Sequence, residues 1–576
     1  MKNKVKRLLS VFMCLCLIFS FCSIGGSFAQ NKNSFPVQTS NNTEAASGLA
    51  FFANADPTEF FDSMLSRLTK VMYNFLNVFT EKIVEAICSA YPDPSDWGRV
   101  DDIDSEFFLP GREKYQTSAQ DGNYWSLGYA SKSILPDDVA NGSYYIGRDL
   151  TNRKAIGVYD DQRIRVSVID DNSGEGAVVL GVIDALGVTS TDVRSIRKGV
   201  LEYCEKNNIK VASINITSTH AHSVLDTQGV STEFFYKLAG NFINNKYQIF
   251  DELPFLEAPT YFKEFFISRS IEAIEEAFEN RESGKMYFGE TDAGNFIKDK
   301  RGLIAKEDIP KIATLYFAPS NGGTATYISD ISCHPTSFEA NNLYVGSDYI
   351  YYLDRYIKEK TGANFMMVQG AVGQLSRDNI DVDTSAMSEY DAMGAVTKKL
   401  GETFGQIIID GDYSYELPPI LNAKHKELFI SPENSVLILA CETKLVNNKV
   451  YRTGEGVRDV IIASEIGYLE FGHKIGFAMF PGELYPEVFW GTGITNNTAW
   501  DGTEWQYDSL KNSVDGVDVY AISLANDATG YVITDNNFAF MGHIIGDGIA
   551  DEVLSAGKHT GSYLVGKYFD LIKEFE

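Results

Sequence analysis

Two of the chain's seven histidines stand one residue apart, in Ser218-Thr219-His220-Ala221-His222-Ser223. The run before them, 211–217, alternates apolar and polar residues and uses β-branched types, so it reads as a half-buried strand. On an extended backbone residues i and i+2 face the same side. Both imidazoles therefore leave the strand end together, which is how a metal ion or a reacting group is approached. The plain alternative is a pair of histidines satisfied by hydrogen bonds at a strand end.

Four other apolar runs end in the same manner, in a turn that carries a polar group. Residues 324–331 run into Ser332-Cys333-His334-Pro335-Thr336-Ser337, and residues 365–368 into Gln369-Gly370-Ala371-Val372-Gly373-Gln374-Leu375-Ser376. Residues 475–480 deliver Pro481-Gly482-Glu483-Leu484, and 519–525 deliver Asn526-Asp527-Ala528-Thr529-Gly530-Tyr531. Loops held by a rigid sheet are where catalytic residues concentrate. Taken singly, each has a plainer reading. Ser376 is then a turn residue, Glu483 a solvated loop carboxylate, Tyr531 a core aromatic, and His334 the mark of a strand end before proline.

The elements that must hold these loops read as an α/β domain, with mixed β-sheets flanked by helices. Strands are expected at 163–170 and 177–183, and a helix at 190–207 with Thr191-Asp192 as its start. A second helix spans 261–280, with Phe265, Ile267, Ile271, Ile274 and Phe278 on its buried side. Asn321-Gly322 is a strong turn signal, making a hairpin of 312–317 and 324–331. A further helix follows at 349–360. Residues 116–576 are read as this one large domain.

Ahead of it, residues 1–29 have the basic start, apolar stretch and small-residue ending of a secretory signal peptide, which predicts a secreted protein. Residues 30–55 are a polar, flexible linker. A helical extension, 56–115, carries Phe61, Leu65, Leu68, Met72, Phe75, Phe79, Ile83 and Ile87 at three- and four-residue spacing. Such a stripe packs on its parent domain, lies on a membrane or closes over a site. No later stretch is long and apolar enough to span a bilayer.

The formal charge is −28, and removing the four positive charges of Lys2, Lys4, Lys6 and Arg7 takes it to −32. That argues against nucleic acid, which needs basic patches. Of seven cysteines, Cys88, Cys204, Cys333 and Cys441 lie outside the signal, far apart and without CxxC spacing. They form neither a disulfide scaffold nor a thiolate zinc site. Nothing in the sequence speaks to oligomeric state.

Together the strand ends resemble the neutral/alkaline, non-lysosomal ceramidase family from about Trp125 to about Phe540. His220-Ala221-His222-Ser223 is similar to the family's His-Thr-His-Ser. His334-Pro335-Thr336-Ser337 with Gly346-Ser347-Asp348-Tyr349 is similar to its second block. Gly373-Gln374-Leu375-Ser376, Pro481-Gly482-Glu483, and Asn526 through Thr534 follow in the family's order. Upstream, Lys154-Ala155-Ile156-Gly157-Val158-Tyr159-Asp160 resembles Lys-Ala-Thr-Gly-Val-His-Asp.

The resemblance implies a ceramidase-like catalytic domain and one zinc per chain, held by His220, His334, Glu483 and Tyr531. Nitrogen and oxygen ligands suit zinc, and zinc polarises a carbonyl and acidifies water. It further implies that His222 moves protons, that Ser376 is the active-site serine, and that Arg301 binds the oxyanion. The implied substrate is ceramide or a related N-acyl lipid, cleaved to a fatty acid and an amine, with peripheral membrane contact in keeping. Val224-Leu225, Gln374 and Arg377 depart from the family's residues and bear on the substrate more than on the metal.

Two other readings compete. One is a binuclear metal hydrolase on a β/α barrel, in which His-x-His opens the first strand. The other is a non-catalytic lipid- or surface-binding protein that keeps the fold without turnover. Two metals per chain would mark the first and none the second.

Overall fold

The computed structural model describes residues 105–575 apart from short breaks, the longest at 232–259 and 540–550, and only scattered positions before them. The signal peptide, the linker and most of the helical extension lie outside the described residues. Within the extension, Val78 and Phe79 are helical and more than half exposed. Closer to the domain, Arg112 is buried, donating to both carboxylate oxygens of Asp171 at 2.9 Å and to the carbonyls of Gly176 and Leu421.

Alternating side chains build two large sheets, beside three two-stranded ones among the described residues. The larger has the order Asn364–Gln369, Thr326–Ile331, Ile312–Pro319, Glu282–Thr291, Trp125–Ser133, Arg163–Asp170, Ala177–Ile183 and Val211–Ser218, with Tyr415–Leu417 attached to Glu282–Thr291. The smaller joins Leu421–Ile430, Lys449–Arg452, Val460–Phe471, Ile475–Met479 and Asp518–Ile522, and ends on Gly98–Arg99. Both sheets mix parallel and antiparallel pairs.

Strand parity sorts the core into layers. Val178, Leu180 and Val182 face one way and join Leu469, Phe471, Phe477 and Met479 of the smaller sheet, so the two sheets pack face to face. Val179 and Ile183 face the other way, under helices Ser190–Lys206 and Thr260–Glu279. Phe365 and Met367 lie under Tyr349–Thr361 and Glu389–Ile409. The outer face of the smaller sheet is covered by Thr560–Ile572. The result is an α/β fold of four layers, helix, sheet, sheet, helix, which bears out the expected class. Continuous burial of Ala177–Ile183 follows from cover on both faces.

This stacking positions the site. Three parallel pairs, Ala177–Ile183 with Val211–Ser218, Thr326–Ile331 with Asn364–Gln369, and Ile475–Met479 with Asp518–Ile522, bring their C-terminal ends together. Cross-ties lock them across the two sheets. Thr217 Oγ1 donates to the Ser523 carbonyl (2.9 Å), Ser523 N to the Gln369 carbonyl (2.8 Å), and Asn526 N to the Ile216 carbonyl (2.7 Å).

Candidate metal centre

Val211–Ser218 ends two residues before His220, where φ is +60°. That left-handed conformation is uncommon outside glycine and turns the chain sharply at the strand end. His222 follows on the same side, with its Nε2 3.1 Å from that of His220. Thr326–Ile331 delivers His334, which bridges Ser376 through the backbone. Ile475–Met479 delivers Glu483, whose short strand pairs in parallel with Tyr531. His220, His334, Glu483, Tyr531 and Ser376 are all buried, and His222 is half-buried.

Backbone carbonyls set the tautomers. A carbonyl only accepts, so His220 Nδ1 donates to Leu186 (2.7 Å) and His334 Nδ1 donates to Leu375 (3.0 Å). Each ring then turns Nε2 inward, the arrangement in which metal-binding histidines are usually held. Both Nε2 atoms face Glu483 Oε2, at 2.9 Å from His220 and 3.2 Å from His334. Ligand atoms of His220, His222 and His334 lie within 4.8 Å of one another.

Two ring lone pairs and a carboxylate converging in a buried space repel one another unless a proton or a cation sits between them. Burial would raise the Glu483 carboxyl, but the facing His220 and His334 hold it down at about 2. His220 is pushed down by burial and raised more strongly by Glu483, ending above its usual value. His334 is lowered to about 4 by burial. The donor spacings of 2.9–3.2 Å also match the edge, roughly 3.3 Å, of a tetrahedron with bonds of about 2.0–2.1 Å to zinc. These residues fit a metal ion.

The remaining expected residues lie around this cluster. Ser376 sits on Leu375–Arg377, paired with Ile297–Asp299. The Leu375 carbonyl beside it is the one that holds His334. Burial first, and Glu483 second, push the Tyr531 hydroxyl well above its ordinary range. Arg301 has its guanidinium 4.9 Å from the centroid of the Tyr485 ring and 3.3 Å from Glu552 Oε1. Val224 and Leu225 are buried under the His-x-His turn, with Leu225 bridging Ile146. Other histidines serve the scaffold. His425 shares a hydrogen bond with Ser213 Oγ (2.8 Å), His473 contacts Glu470 (3.0 Å) and His559 contacts Glu433 (2.6 Å). His543 lies outside the described residues.

Sequence reasoning missed a polar shelf beside the cluster. Asp551 Oδ2 accepts from both Gln374 Nε2 and the Tyr485 hydroxyl. Burial raises Asp551 to about 6 and Glu487 to about 7. Tyr485 carried a readable signal, being two residues from Glu483 on an extended run. Asp551 carried none, since it is remote in sequence from everything it touches.

No protein-family model matches the chain, and no curated protein matches it in sequence. Among solved structures it is similar to the neutral ceramidase from Pseudomonas aeruginosa, with 15% identity and a TM-score of 0.57, over 78% of this chain and 74% of that one. It is similar also to a ceramidase complexed with C2, with 14% identity and a TM-score of 0.55, over 78% and 75% of the two chains. At such identity the likeness is one of fold.

Proposed function

We propose that the chain is a zinc-dependent amide hydrolase that cleaves the N-acyl linkage of ceramide or a related N-acyl lipid. The observation that carries this reading is the convergence of two carbonyl-locked imidazole Nε2 atoms on Glu483 Oε2. It sits at strand ends of a fold shared with ceramidases. His220, His334 and Glu483 would hold the ion, with the Tyr531 hydroxyl beside Glu483 as a fourth donor. When bound, zinc supplies Lewis acidity and acidified water.

The chain's own residues do the rest. The carbonyls of Leu186 and Leu375 keep both ligand rings from rotating. His222, half-buried and next to His220, would take a proton from the attacking water and return it to the leaving amine. Ser376, fixed by its strand to the backbone of His334, would orient the acyl group. In this reading residues 1–29 are removed on export, which the mass of the purified mature protein checks.

The test is zinc content by elemental analysis, together with fatty acid release from a short-chain ceramide in the same sample. About one zinc per chain is expected, with chelator-sensitive release, both lost in His220→Ala. Zinc and hydrolysis that survive His220→Ala would sink the assignment.

A further inference from the structure

We propose that Asp551 is a positioning residue that holds the Ser376 loop and the Glu483 loop in register. The two loops come from different sheets, following Asn364–Gln369 in the larger and Ile475–Met479 in the smaller. A shift between the sheets would therefore move the serine against the metal ligands. Asp551 opposes that shift directly. A single oxygen, Oδ2, accepts from Gln374, two residues before Ser376, and from Tyr485, two residues after Glu483.

Further contacts close the shelf around it. Gly373 N donates to the Leu484 carbonyl (3.0 Å), and Lys300 N donates to the Gln374 carbonyl (3.1 Å). The Arg301 guanidinium lies over the Tyr485 ring and reaches Glu552, the neighbour of Asp551. Four separate stretches, around 300, 374, 485 and 551, thus meet in one shelf, and two of them donate directly to the Asp551 carboxylate. Two charge-assisted hydrogen bonds to one oxygen are directional as well as strong. A carboxylate in a buried network with both donors satisfied fixes geometry more than it adds stability. Asp551 is held by Gln374 and Tyr485, and it acts on the reaction by positioning their two loops.

The catalytic part of this inference rests on the amide-hydrolase reading, so its test carries a readout that does not. In Asp551→Ala, amide hydrogen exchange by mass spectrometry should quicken about tenfold or more in both 370–376 and 483–487, since each loop loses its tether. Zinc content should stay at the wild-type level. In the same variant kcat for the N-acyl substrate should fall roughly ten- to a hundredfold with KM within about twofold, the signature of a misplaced reacting group.

Asp551→Asn keeps an acceptor oxygen and should recover most of the protection and turnover. If Asp551→Ala does not fold, single-sided variants serve in its place. Gln374→Met should loosen 370–376 alone, and Tyr485→Phe should loosen 483–487 alone. Unchanged exchange in either loop of Asp551→Ala, loosening in neither single-sided variant, or Asp551→Asn as impaired as Asp551→Ala would overturn the proposal. A wild-type protein without N-acyl hydrolysis would remove the enzyme reading, while the exchange data would still decide the tether.

Discussion

Glu483 Oε2 lies within 3.2 Å of two ring nitrogens whose other nitrogens are committed to backbone carbonyls. His222 tests this geometry, because its Nε2 is close enough to His220 to share a metal. Its half-exposure, against the burial of His220 and His334, favours a proton carrier. His222→Ala should therefore keep its zinc and lose about 10²–10⁴-fold in turnover. Loss of zinc in that variant would make His222 a ligand. A second single-residue prediction concerns Asp527. It accepts from Ser190 N, Ala528 N and Asn448 Nδ2, with Glu465 nearby, and burial raises it to about 6. Its folded value lies above the unfolded one. The stability it contributes is thus complete below about pH 4 and is lost as the pH rises through about 6. Asp527→Asn keeps the accepting oxygen and cannot ionise. Urea midpoints of wild type and variant, compared at pH 4 and pH 7.5, should diverge in the variant's favour by on the order of 2–3 kcal/mol.

At the scale of elements, an ion pair between layers and a glycine at a close backbone approach can each be tested. Arg197, on helix Ser190–Lys206, reaches through to Glu465 of the smaller sheet at 2.6 and 2.8 Å and donates to the Ile214 carbonyl on the way. Arg197→Met leaves a buried carboxylate unpaired and should cost about 3–5 kcal/mol in urea unfolding. Arg197→Met combined with Glu465→Met should cost less than the single change, since no charge is then stranded. Gly530 has φ +88°, and a Cβ there would lie 1.6 Å from the Leu554 carbonyl oxygen. Gly530→Ala should cost about 2–4 kcal/mol and weaken zinc binding, because Tyr531 is the next residue. The same elements show what the sequence made legible. Strands 163–170 and 177–183, the hairpin about Asn321-Gly322, and the helices at 190, 261 and 349 were readable from periodicity and turn chemistry. The start of the first helix was read at the right residue but on the wrong signal, Thr191-Asp192, because Asp192 turns inward to Lys263 (2.8 Å) and Asn447 (3.0 Å) instead of capping. The helix begins at Ser190, with Thr189 as its N-cap. Val460–Phe471, buried along its whole length, escaped notice because Glu465 and Glu470 break its apolar run, each satisfied by a distant partner.

For the whole molecule, the candidate ligands were legible because they sit at strand ends, where short motifs survive in order. Their supports were not, since Leu186, Leu375 and Asp551 act through backbone carbonyls or from remote positions that only folding brings near. Composition is legible without any structure, and it makes the last prediction. A formal charge of −28 repels anionic surfaces over roughly 10 Å at 0.1 M salt and much less at higher salt. In the proposed reading the substrate is an N-acyl lipid met at an interface, so the charge of that interface should enter the rate. With the substrate diluted into zwitterionic vesicles, hydrolysis at low salt should exceed that in vesicles rich in anionic lipid. The gap should close as salt rises toward about 0.5 M, where screening shortens to a few ångströms. A preference for anionic vesicles, weakened by salt, would mean that a local basic surface overrides the net charge. Equal rates at every salt concentration would mean that the substrate reaches His220 and Glu483 without the protein approaching the bilayer.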